Sequence, residues 1–416
     1  MSRLRITGGQ RLVGEIKVGG AKNATLPILA ACLLTPHECI IHGVPRLKDI
    51  EVMIEILVTL GAEVTWSDSS VTVCSRHLSE SRVPEELMRR MRASNLVMGA
   101  LLGRCHEFGV SYPGGCTIGS RPMDLHIKGF LSMGAKVKED GVIEGKVKKL
   151  QGSCIYLDFP SVGATENLMM AAVLAEGITI IRNAAREPEI VDLQSFLCKM
   201  GARVWGAGTD KITIEGTSQL GVSEHQVIPD RIEAGTHLVA GAVTQGDILV
   251  SNTRAEHLEA LLSKLGEIGV EVSNDSLGIR LKGGCSWRAV DIKTHPFPGF
   301  PTDLQPQIMS LLALANGTSV VKETVFESRY KHADELRRMG ARIKVDGRIA
   351  IIQGVKRLTG ASVEASDLRA GAALVIGGMA ADGVTTIDNV HHLDRGYERL
   401  EEKYLGLGAD IKRIDS

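Results

Sequence analysis

A short pattern of apolar and polar positions recurs six times along the chain, as in LGAEV, MGARV and LGADI. Its glycines stand at positions 61, 134, 201, 269, 340 and 408. Amphipathic stretches such as IEVMIEILVTL precede these phrases and predict helices with one polar face. The glycine then marks the step from a helix C-terminus to a strand. The spacing of about 70 residues indicates six copies of one unit, longer than ankyrin or tetratricopeptide repeats.

A second helix in each unit is apolar on nearly every face. The segments are NATLPILAACLL, ASNLVMGALL, TENLMMAAVLA, THLVAGAV, QPQIMSLLALA and AGAALVIGGMA. Helices without a polar face are expected to be buried all round. Turns followed by β-branched runs, as in TQGDILVSN, predict strands. Each unit therefore contributes one inner helix, one outer helix and several strands. Periodicity leaves open whether six such units form a linear solenoid or close in groups.

The composition fits a large folded protein without a bias toward polyanionic partners. With 416 residues and 44% hydrophobic content, two or three domains are expected. The 48 basic and 49 acidic residues give a net charge of −1, so neither a nucleic-acid partner nor a membrane surface is indicated. Neither a secretory leader nor a membrane span is visible, and we expect a cytoplasmic protein.

Eight cysteines are scattered along the chain without a CxxC pair or zinc-ligand spacing, so neither a disulfide framework nor a metal site is predicted. Most lie in apolar runs such as AACLL and FLCKMG, where we expect buried thiols. Cys116 differs because it follows Gly114 and Gly115 in YPGGCTIGSRP. Two glycines permit an open loop, so this thiol is expected to be exposed and reactive.

Polar residues precede the inner helices at corresponding places. They are Lys22, Asn23, Arg92, Ser94, Ser161, Thr165, Arg231, Glu233, Thr236, Thr302, Asp303, Asp367 and Arg369. Helix capping explains the uncharged and acidic members, but cations oppose the positive end of a helix dipole. If the helices converge on one cleft, these cations predict anionic ligands; unrelated surface cations are the alternative. Asp303, in the proline-rich HPFPGFPTDLQPQ, fits a general base and a helix cap equally well.

Long motifs now suggest a family. GGAKNATLP, MRAS, PGGCTIGSRPMDLH, SVGAT, NAAREPEIVD, FPTDLQ, DLRAGAALV and DRGYERLEEK occur in this order across the whole chain. With them the sequence resembles the bacterial UDP-N-acetylglucosamine enolpyruvyl transferase family. The resemblance implies a two-domain inside-out α/β barrel of six repeats, with helices inside and sheets outside. The implied domains are residues 22–229 and residues 1–21 with 230–416, each of three repeats, and the active site lies in the cleft between them.

The resemblance also implies a reaction. The enolpyruvyl group of phosphoenolpyruvate moves to the 3′-hydroxyl of UDP-N-acetylglucosamine with release of phosphate, the first committed step of peptidoglycan synthesis. Addition at C2 with protonation at C3 precedes elimination, so an acid and a base are required. No metal, organic cofactor or obligatory protein partner is implied.

Individual roles follow from the same resemblance. Cys116 is implied to donate the C3 proton, and Asp303 to accept the proton of the 3′-hydroxyl. Asp367 assists deprotonation at C3 or orients the lysine. Phosphoenolpyruvate contacts are implied for Lys22, Arg121 and Arg395, with Arg92 and Arg369 in similar anion-facing positions. Sugar-nucleotide contacts are implied for Asn23, Asp303 and Val325, for Ser161, Val162 and Gly163 at the diphosphate, and for Arg121, Pro122, Asp124 and Leu125 at the uridine. Glu187 and Arg329 are implied at the domain interface.

The sequence departs from the family pattern at one place, and two other functions compete with the implied one. Phe159 and Pro160 stand where several family members carry a lysine before SVGAT, so one cationic diphosphate contact is expected to be missing. The sibling enzymes that use shikimate phosphate share the chemistry, but PGGCTIG, SVGAT and REPEIVD favour the sugar nucleotide. A non-catalytic nucleotide-binding repeat protein is disfavoured because Cys116, Asp303 and Asp367 are all present.

Overall fold

Helices and strands mix along the whole chain in the computed structural model, which describes residues 2–112, 114, 119, 123–274 and 276–414, the side chain of Arg92 excepted. The α/β class expected from the sequence is thereby confirmed. The described residues divide into two compact units. The first unit contains residues 2–19, 119, 229–274 and 276–414, and the second contains residues 20–112, 114 and 123–228.

The α-helices are short to medium in length. In chain order they are α1 (Lys22–Ala31), α2 (Lys48–Thr59), α3 (Glu85–Arg90), α4 (Val97–Cys105), α5 (Asp124–Ser132), α6 (Val162–Ala172), α7 (Pro188–Lys199), α8 (Arg231–Val243), α9 (Glu259–Ile268), α10 (Gln305–Leu312), α11 (His332–Arg338), α12 (Leu368–Ala380) and α13 (Leu400–Gly406).

The strands have five residues or fewer. They are β1 (Arg3–Thr7), β2 (Val13–Lys17), β3 (Glu38–His42), β4 (Glu63–Ser67), β5 (Ser70–Cys74), β6 (Glu107–Ser111), β7 (Lys136–Asp140), β8 (Val142–Lys146), β9 (Cys154–Tyr156), β10 (Ile178–Arg182), β11 (Arg203–Trp205), β12 (Lys211–Glu215), β13 (Ser223–Gln226), β14 (Asp247–Ser251), β15 (Glu271–Asn274), β16 (Gly278–Lys282), β17 (Ile292–Lys293), β18 (Thr318–Lys322), β19 (Arg342–Asp346), β20 (Ile349–Gln353), β21 (Ser362–Glu364), β22 (Val384–Asp388) and β23 (Asp410–Ile414).

Within the described residues the second unit contains three sheets, with strand orders β13-β3-β5-β4, β11-β12-β10-β9 and β6-β8-β7. In the first of these, β3 and β5 are antiparallel, with Cys39 opposite Val73 and Ile41 opposite Val71. These four side chains are fully buried, which matches the alternation of faces along a strand. The strand β13 pairs with β3 in the parallel sense, so this sheet is mixed.

The described part of the first unit also contains three sheets, with orders β21-β22-β1-β23, β15-β16-β14-β2 and β17-β18-β20-β19. Each combines one parallel pair with antiparallel pairs; β2 and β14 are parallel, for example, and β14 and β16 antiparallel. The amino-terminal strands β1 and β2 therefore pair with strands far along the chain.

The six recurring glycines all adopt left-handed backbone conformations. Their φ angles are 102° at Gly61, 89° at Gly134, 98° at Gly201, 103° at Gly269, 91° at Gly340 and 94° at Gly408. Each follows a helix and precedes a strand by two residues, as between α2 and β4. Only glycine adopts this region without steric cost, which explains the residue choice. The predicted helix-to-strand step is confirmed at all six positions.

The helices predicted to be buried all round are α1, α4, α6, α8, α10 and α12. Every residue of α8 and α10 is buried, and α12 is buried from Leu368 to Met379. These helices supply much of two separate hydrophobic cores, one in each unit. The prediction from their apolar composition is confirmed.

The cysteines only partly follow the expectation of burial. Cys32 and Cys39 are buried, whereas Cys154, Cys198 and Cys285 are exposed. The prediction for Cys198 in FLCKMG was wrong because this residue lies on the solvent-facing side of the amphipathic helix α7. None of the helices described is both long and apolar enough to span a bilayer.

Candidate functional site

Asp303 lies in the first unit on a short 3₁₀ turn, Thr302–Leu304, directly before α10. Its Oδ1 is 2.7 Å from Nη2 of Arg329, and its Oδ2 is 3.0 Å from Nη2 of Arg369. Both arginines are buried, while the Asp303 side chain remains 27% exposed. Two guanidinium groups therefore fix the orientation of one accessible carboxylate.

The guanidinium of Arg369 belongs to a buried network around Tyr397. Its Nη1 donates to the Tyr397 hydroxyl at 3.1 Å, and this hydroxyl lies 2.9 Å from Oγ1 of Thr236. Gln307 donates to Thr236 and to the Asp303 carbonyl. Burial alone would lower the pKa of Arg369, but the charge of Asp303 and the other acidic groups raise it above its ordinary value. The residue is thus a fixed positive charge.

Asp367 caps α12. Its Oδ1 accepts hydrogen bonds from the amides of Arg369 at 2.9 Å and Ala370 at 3.1 Å, and Ser366 donates to its Oδ2 at 3.3 Å. The cap places Asp367 beside the backbone of Arg369, one of the two arginines that hold Asp303. Capping is an ordinary reason for an aspartate at this position.

Two further predicted residues of the first unit occupy turns. Arg395 is half-buried at the end of the 3₁₀ helix Val390–Arg395. Burial, together with the charges of His391 and Arg395, lowers the pKa of His392.

The amide of Val325 donates to Oε1 of Glu323 at 2.8 Å, so the turn after β18 is fixed by an internal carboxylate.

In the second unit, Lys22 is the first residue of α1 and is 8% exposed. Its Nζ is 3.1 Å from Oδ2 of Asp49 on α2, a carboxylate that is also buried. This pair explains how a lysine is tolerated at the positive end of a buried helix. Asn23, the next residue, is partly exposed.

The predicted diphosphate turn forms the N-terminus of α6. Ser161 is the cap residue, and its Oγ accepts a hydrogen bond from the Ala164 amide at 3.3 Å. Val162 and Gly163 are partly exposed, and first-turn amides have no partner within a helix. Asp124 and Leu125 begin α5, where Asp124 is exposed. Exposed helix N-termini are suited to anions.

Asn167 fixes α4, α5 and α6 relative to one another within the second unit. Its Oδ1 accepts from the Gly99 amide at 2.6 Å, and its Nδ2 lies 3.1 Å from Nδ1 of His126. The same nitrogen donates to the Asn95 and Gly163 carbonyls. The start of α6 thus rests on a polar junction around the fully buried Asn167.

Glu166, Glu187 and Glu189 are buried near one another in the second unit. Burial, reinforced by the charges of Glu189 and Glu187, raises the pKa of Glu166 well above its ordinary value. Glu187 directly precedes α7 as its cap residue, and its side chain is buried.

The structure brings Asp303, Arg329 and Arg369 together and places Asp367 beside them. Cys116, Arg121 and Pro122 lie outside the described residues, and of Arg92 only the backbone, at the start of the 3₁₀ helix Arg92–Leu96, is described. Sequence reasoning missed Asp49, Tyr397 and Glu323, whose partners lie on other elements. In the described parts of the chain, no cluster of three or more His, Cys, Asp or Glu side chains is arranged to hold a metal.

The chain is similar to known proteins over its whole length. Residues 6–404 match the family described as EPSP synthase (3-phosphoshikimate 1-carboxyvinyltransferase). The chain is 56% identical over 416 residues to UDP-N-acetylglucosamine 1-carboxyvinyltransferase 1 of Carboxydothermus hydrogenoformans, covering 100% of this chain and 99% of the relative. It is 51% identical over 415 residues to UDP-N-acetylglucosamine 1-carboxyvinyltransferase of Halothermothrix orenii, covering 100% of both.

Solved structures share the fold. The crystal structure of the enolpyruvyl transferase NikO from Streptomyces tendae matches with a TM-score of 0.90 and 25% identity, over 100% of this chain and 99% of that one. EPSP synthase from Acinetobacter baumannii matches with a TM-score of 0.78 and 18% identity, over 100% of both chains. The second likeness concerns the fold alone.

Proposed function

The chain belongs to the EPSP synthase family and, within it, to the UDP-N-acetylglucosamine 1-carboxyvinyltransferases, and from this premise we propose its reaction. The enolpyruvyl group of phosphoenolpyruvate is transferred to the 3′-hydroxyl of UDP-N-acetylglucosamine, and phosphate is released. In peptidoglycan synthesis this is the first committed step. The observation that carries the proposal is 56% identity over the whole chain to a relative of that name.

Asp303 accepts the proton of the attacking hydroxyl. The two arginines each donate to one carboxylate oxygen of Asp303, through Nη2 of Arg329 and Nη2 of Arg369. Because both guanidinium groups are buried and fixed, the acceptor is oriented before substrate binds. The partial exposure of Asp303 leaves it accessible.

The cations bind the phosphate and carboxylate of phosphoenolpyruvate. Lys22, Arg121 and Arg395 make these contacts, and Arg92 and Arg369 add positive potential. Lys22 is a cation at the N-terminus of α1, where the helix dipole also favours an anion. Cys116 donates the proton to C3, and Asp367 assists its later removal or orients the lysine. Proton donation and removal are both required for addition followed by elimination.

Most of the proposed nucleotide contacts lie in the second unit, and Val325 lies in the first. The amides of Val162 and Gly163, with Ser161, hold the diphosphate at the start of α6. Arg121, Pro122, Asp124 and Leu125 form the uridine edge, while Asn23 and Val325 contact the sugar. Phe159, at the position where the family resemblance implies a lysine, is 43% exposed, so the helix amides bear more of the diphosphate interaction.

Residues of both units take part in this reaction, and we propose the six-repeat, inside-out barrel as the architecture. The recurrence of the helix, glycine and strand step supports it. The domain bounds at residues 22–229 and 1–21 with 230–416, the absence of a cofactor and the cytoplasmic location stay predictions from the sequence.

The test measures phosphate release from phosphoenolpyruvate without added metal. Purified enzyme is supplied with UDP-N-acetylglucosamine or with shikimate 3-phosphate. We expect release that depends on the sugar nucleotide. Release only with shikimate 3-phosphate would assign the sibling reaction, and no release with either acceptor would leave only the fold.

A further inference from the structure

Glu323 follows β18 and is fully buried. Its Oε1 accepts hydrogen bonds from Oγ1 of Thr294 at 2.9 Å, from the Val325 amide at 2.8 Å and from the Phe326 amide at 3.2 Å. Its Oε2 accepts from Oγ1 of Thr302 at 3.0 Å. One carboxylate therefore joins three separate parts of the chain.

Two of those donors lie at the two ends of the proline-rich loop that leads to Asp303. Thr294 begins the loop, where its hydroxyl also accepts from the Thr324 amide at 2.9 Å. Thr302 ends the loop and is the residue directly before Asp303. The loop is closed internally by the His295 amide, which donates to the Phe300 carbonyl at 2.9 Å. Glu323 thus ties both loop ends to the turn containing Val325.

The chemistry of a buried carboxylate makes this junction rigid. An ionised carboxylate accepts hydrogen bonds only, and burying its charge without partners is very unfavourable. Among the residues that the structure describes, the hydrogen-bond donors to Glu323 are neutral N–H and O–H groups. All four donors must therefore keep their places together.

We propose that Glu323 is a positioning residue for the transfer reaction. It fixes the turn carrying Asp303 relative to the turn carrying Val325, so that the proton acceptor and a sugar contact are presented in one geometry. This inference rests on the proposed function of Asp303 and Val325. Reaction rates are sensitive to such alignment, because a misplacement of about 1 Å can cost about a hundredfold in rate.

The experiment uses the full-length enzyme and the threonine next to Asp303. Thr302→Val removes the hydroxyl that donates to Oε2 but keeps the side-chain shape, whereas Thr302→Ser keeps the hydroxyl. The matched control is Thr244→Val, in the same unit, which removes a buried hydroxyl that donates to the Ala240 carbonyl at 2.8 Å. Phosphate-release kinetics and thermal unfolding are measured for all variants.

We expect Thr302→Val to lower kcat and kcat/KM together by about tenfold or more, the pattern of a lost transition-state interaction. Thr302→Ser restores kcat, and Thr244→Val loses stability with kcat unchanged. A wild-type kcat in Thr302→Val, an equal loss in Thr302→Ser, or an equal loss in Thr244→Val would overturn the inference. An inactive wild-type enzyme would instead contradict the proposed function.

A second variant acts on Glu323 itself. In Glu323→Gln the carboxamide oxygen can keep the donors on the Oε1 side, while its nitrogen donates to the Thr302 hydroxyl, which then acts as acceptor. We expect kcat close to that of wild type and an unchanged pH profile. A large loss of kcat in a variant that unfolds at the wild-type temperature would show that the charge of Glu323 acts directly, and would contradict a positioning role.

Discussion

A charged residue at the start of a buried helix has different partners and a different exposure in each of the two units. In the first unit Asp303 precedes α10, has two buried arginines as partners and stays 27% exposed. In the second unit Lys22 begins α1, is 8% exposed and forms an ion pair with the buried carboxylate of Asp49 on α2. Two buried guanidinium groups orient an accessible acceptor at Asp303, whereas a buried carboxylate stabilises the cation of Lys22.

The start of α6 is a third arrangement, in which uncharged groups stand at the N-terminus of a buried helix. Ser161 caps the helix with a hydroxyl, and the first-turn amides face a partly exposed surface. Here the helix dipole and N–H groups supply the attraction for an anion, without a buried ion to stabilise. Changing each of these groups therefore has a different expected effect on activity and stability.

Asp303→Asn is expected to have the largest effect. The amide keeps the size of the side chain but loses the proton acceptor and leaves Arg329 and Arg369 without their shared counter-charge. Loss of a general base lowers kcat by about 10² to 10⁴-fold, measured as phosphate release. Asp334→Asn is the control, because that carboxylate forms an exposed pair with Arg337. A near-normal kcat in Asp303→Asn would show that another group accepts the proton.

Lys22→Met is expected to destabilise the second unit as well as reduce activity. It leaves the buried carboxylate of Asp49 without the lysine, and breaking a buried pair costs about 3–5 kcal/mol in the free energy of unfolding. Lys48→Met, which breaks an exposed pair with Glu51, is expected to cost less than about 1 kcal/mol. Urea unfolding measures both. Equal effects of the two substitutions would contradict the difference in burial.

His332 makes the stability of the first unit depend on pH. Burial lowers its pKa to about 4, although the charge of Asp367 acts in the opposite direction. Its Nδ1 lies 3.2 Å from the carbonyl of Arg329, so the imidazole supports the backbone of an arginine that holds Asp303. Between its unfolded pKa of about 6.5 and the folded value, the unfolded state binds the extra proton. Stability therefore falls as pH decreases through this window.

The loss from His332 amounts to roughly 3 kcal/mol at pH 4 relative to pH 7. His332→Gln is expected to remove this part of the slope when unfolding free energies are compared across the window. His37→Gln, at an exposed position, controls for the loss of an imidazole. If wild type and His332→Gln kept the same slope, the assignment of this pH dependence to His332 would be wrong.

Ser161→Ala is expected to have the smallest effect. Losing the cap of α6 costs about 1 kcal/mol of stability, and KM for the sugar nucleotide rises because the first turn is less well ordered. Ser161→Thr retains an oxygen and should restore both. Ser132→Ala, at an exposed serine of α5, provides the comparison. An unchanged KM together with lower stability would separate capping from diphosphate binding.

Much of the fold could be predicted from local pattern. The six glycines mark helix ends because a left-handed residue is a local requirement, and the apolar helices are buried because they have no polar face. Cys198 was wrongly expected to be buried, since its apolar neighbours occupy a different face of α7. The position of Cys198 on the face of the helix therefore decides its exposure, rather than the apolar composition of FLCKMG.

The candidate site was predictable only residue by residue. Asp303 and Lys22 could be found because each is a charged residue at the start of an apolar helix. Their partners could not: Arg329 and Arg369 lie 26 and 66 residues from Asp303, and Asp49 lies 27 residues from Lys22. Tertiary packing decides such pairings. Glu323 was hidden for the same reason, since its role depends on donors from three segments.

Identification of the product tests the central claim most directly. Enzyme, phosphoenolpyruvate and UDP-N-acetylglucosamine are incubated, and the sugar nucleotide is analysed by mass spectrometry and NMR. We predict an enolpyruvyl ether at the 3′ position, formed in equal amount to phosphate and about 10²- to 10⁴-fold more slowly with Asp303→Asn. Phosphate release with an unmodified sugar nucleotide, or an ether at another hydroxyl, would contradict the account.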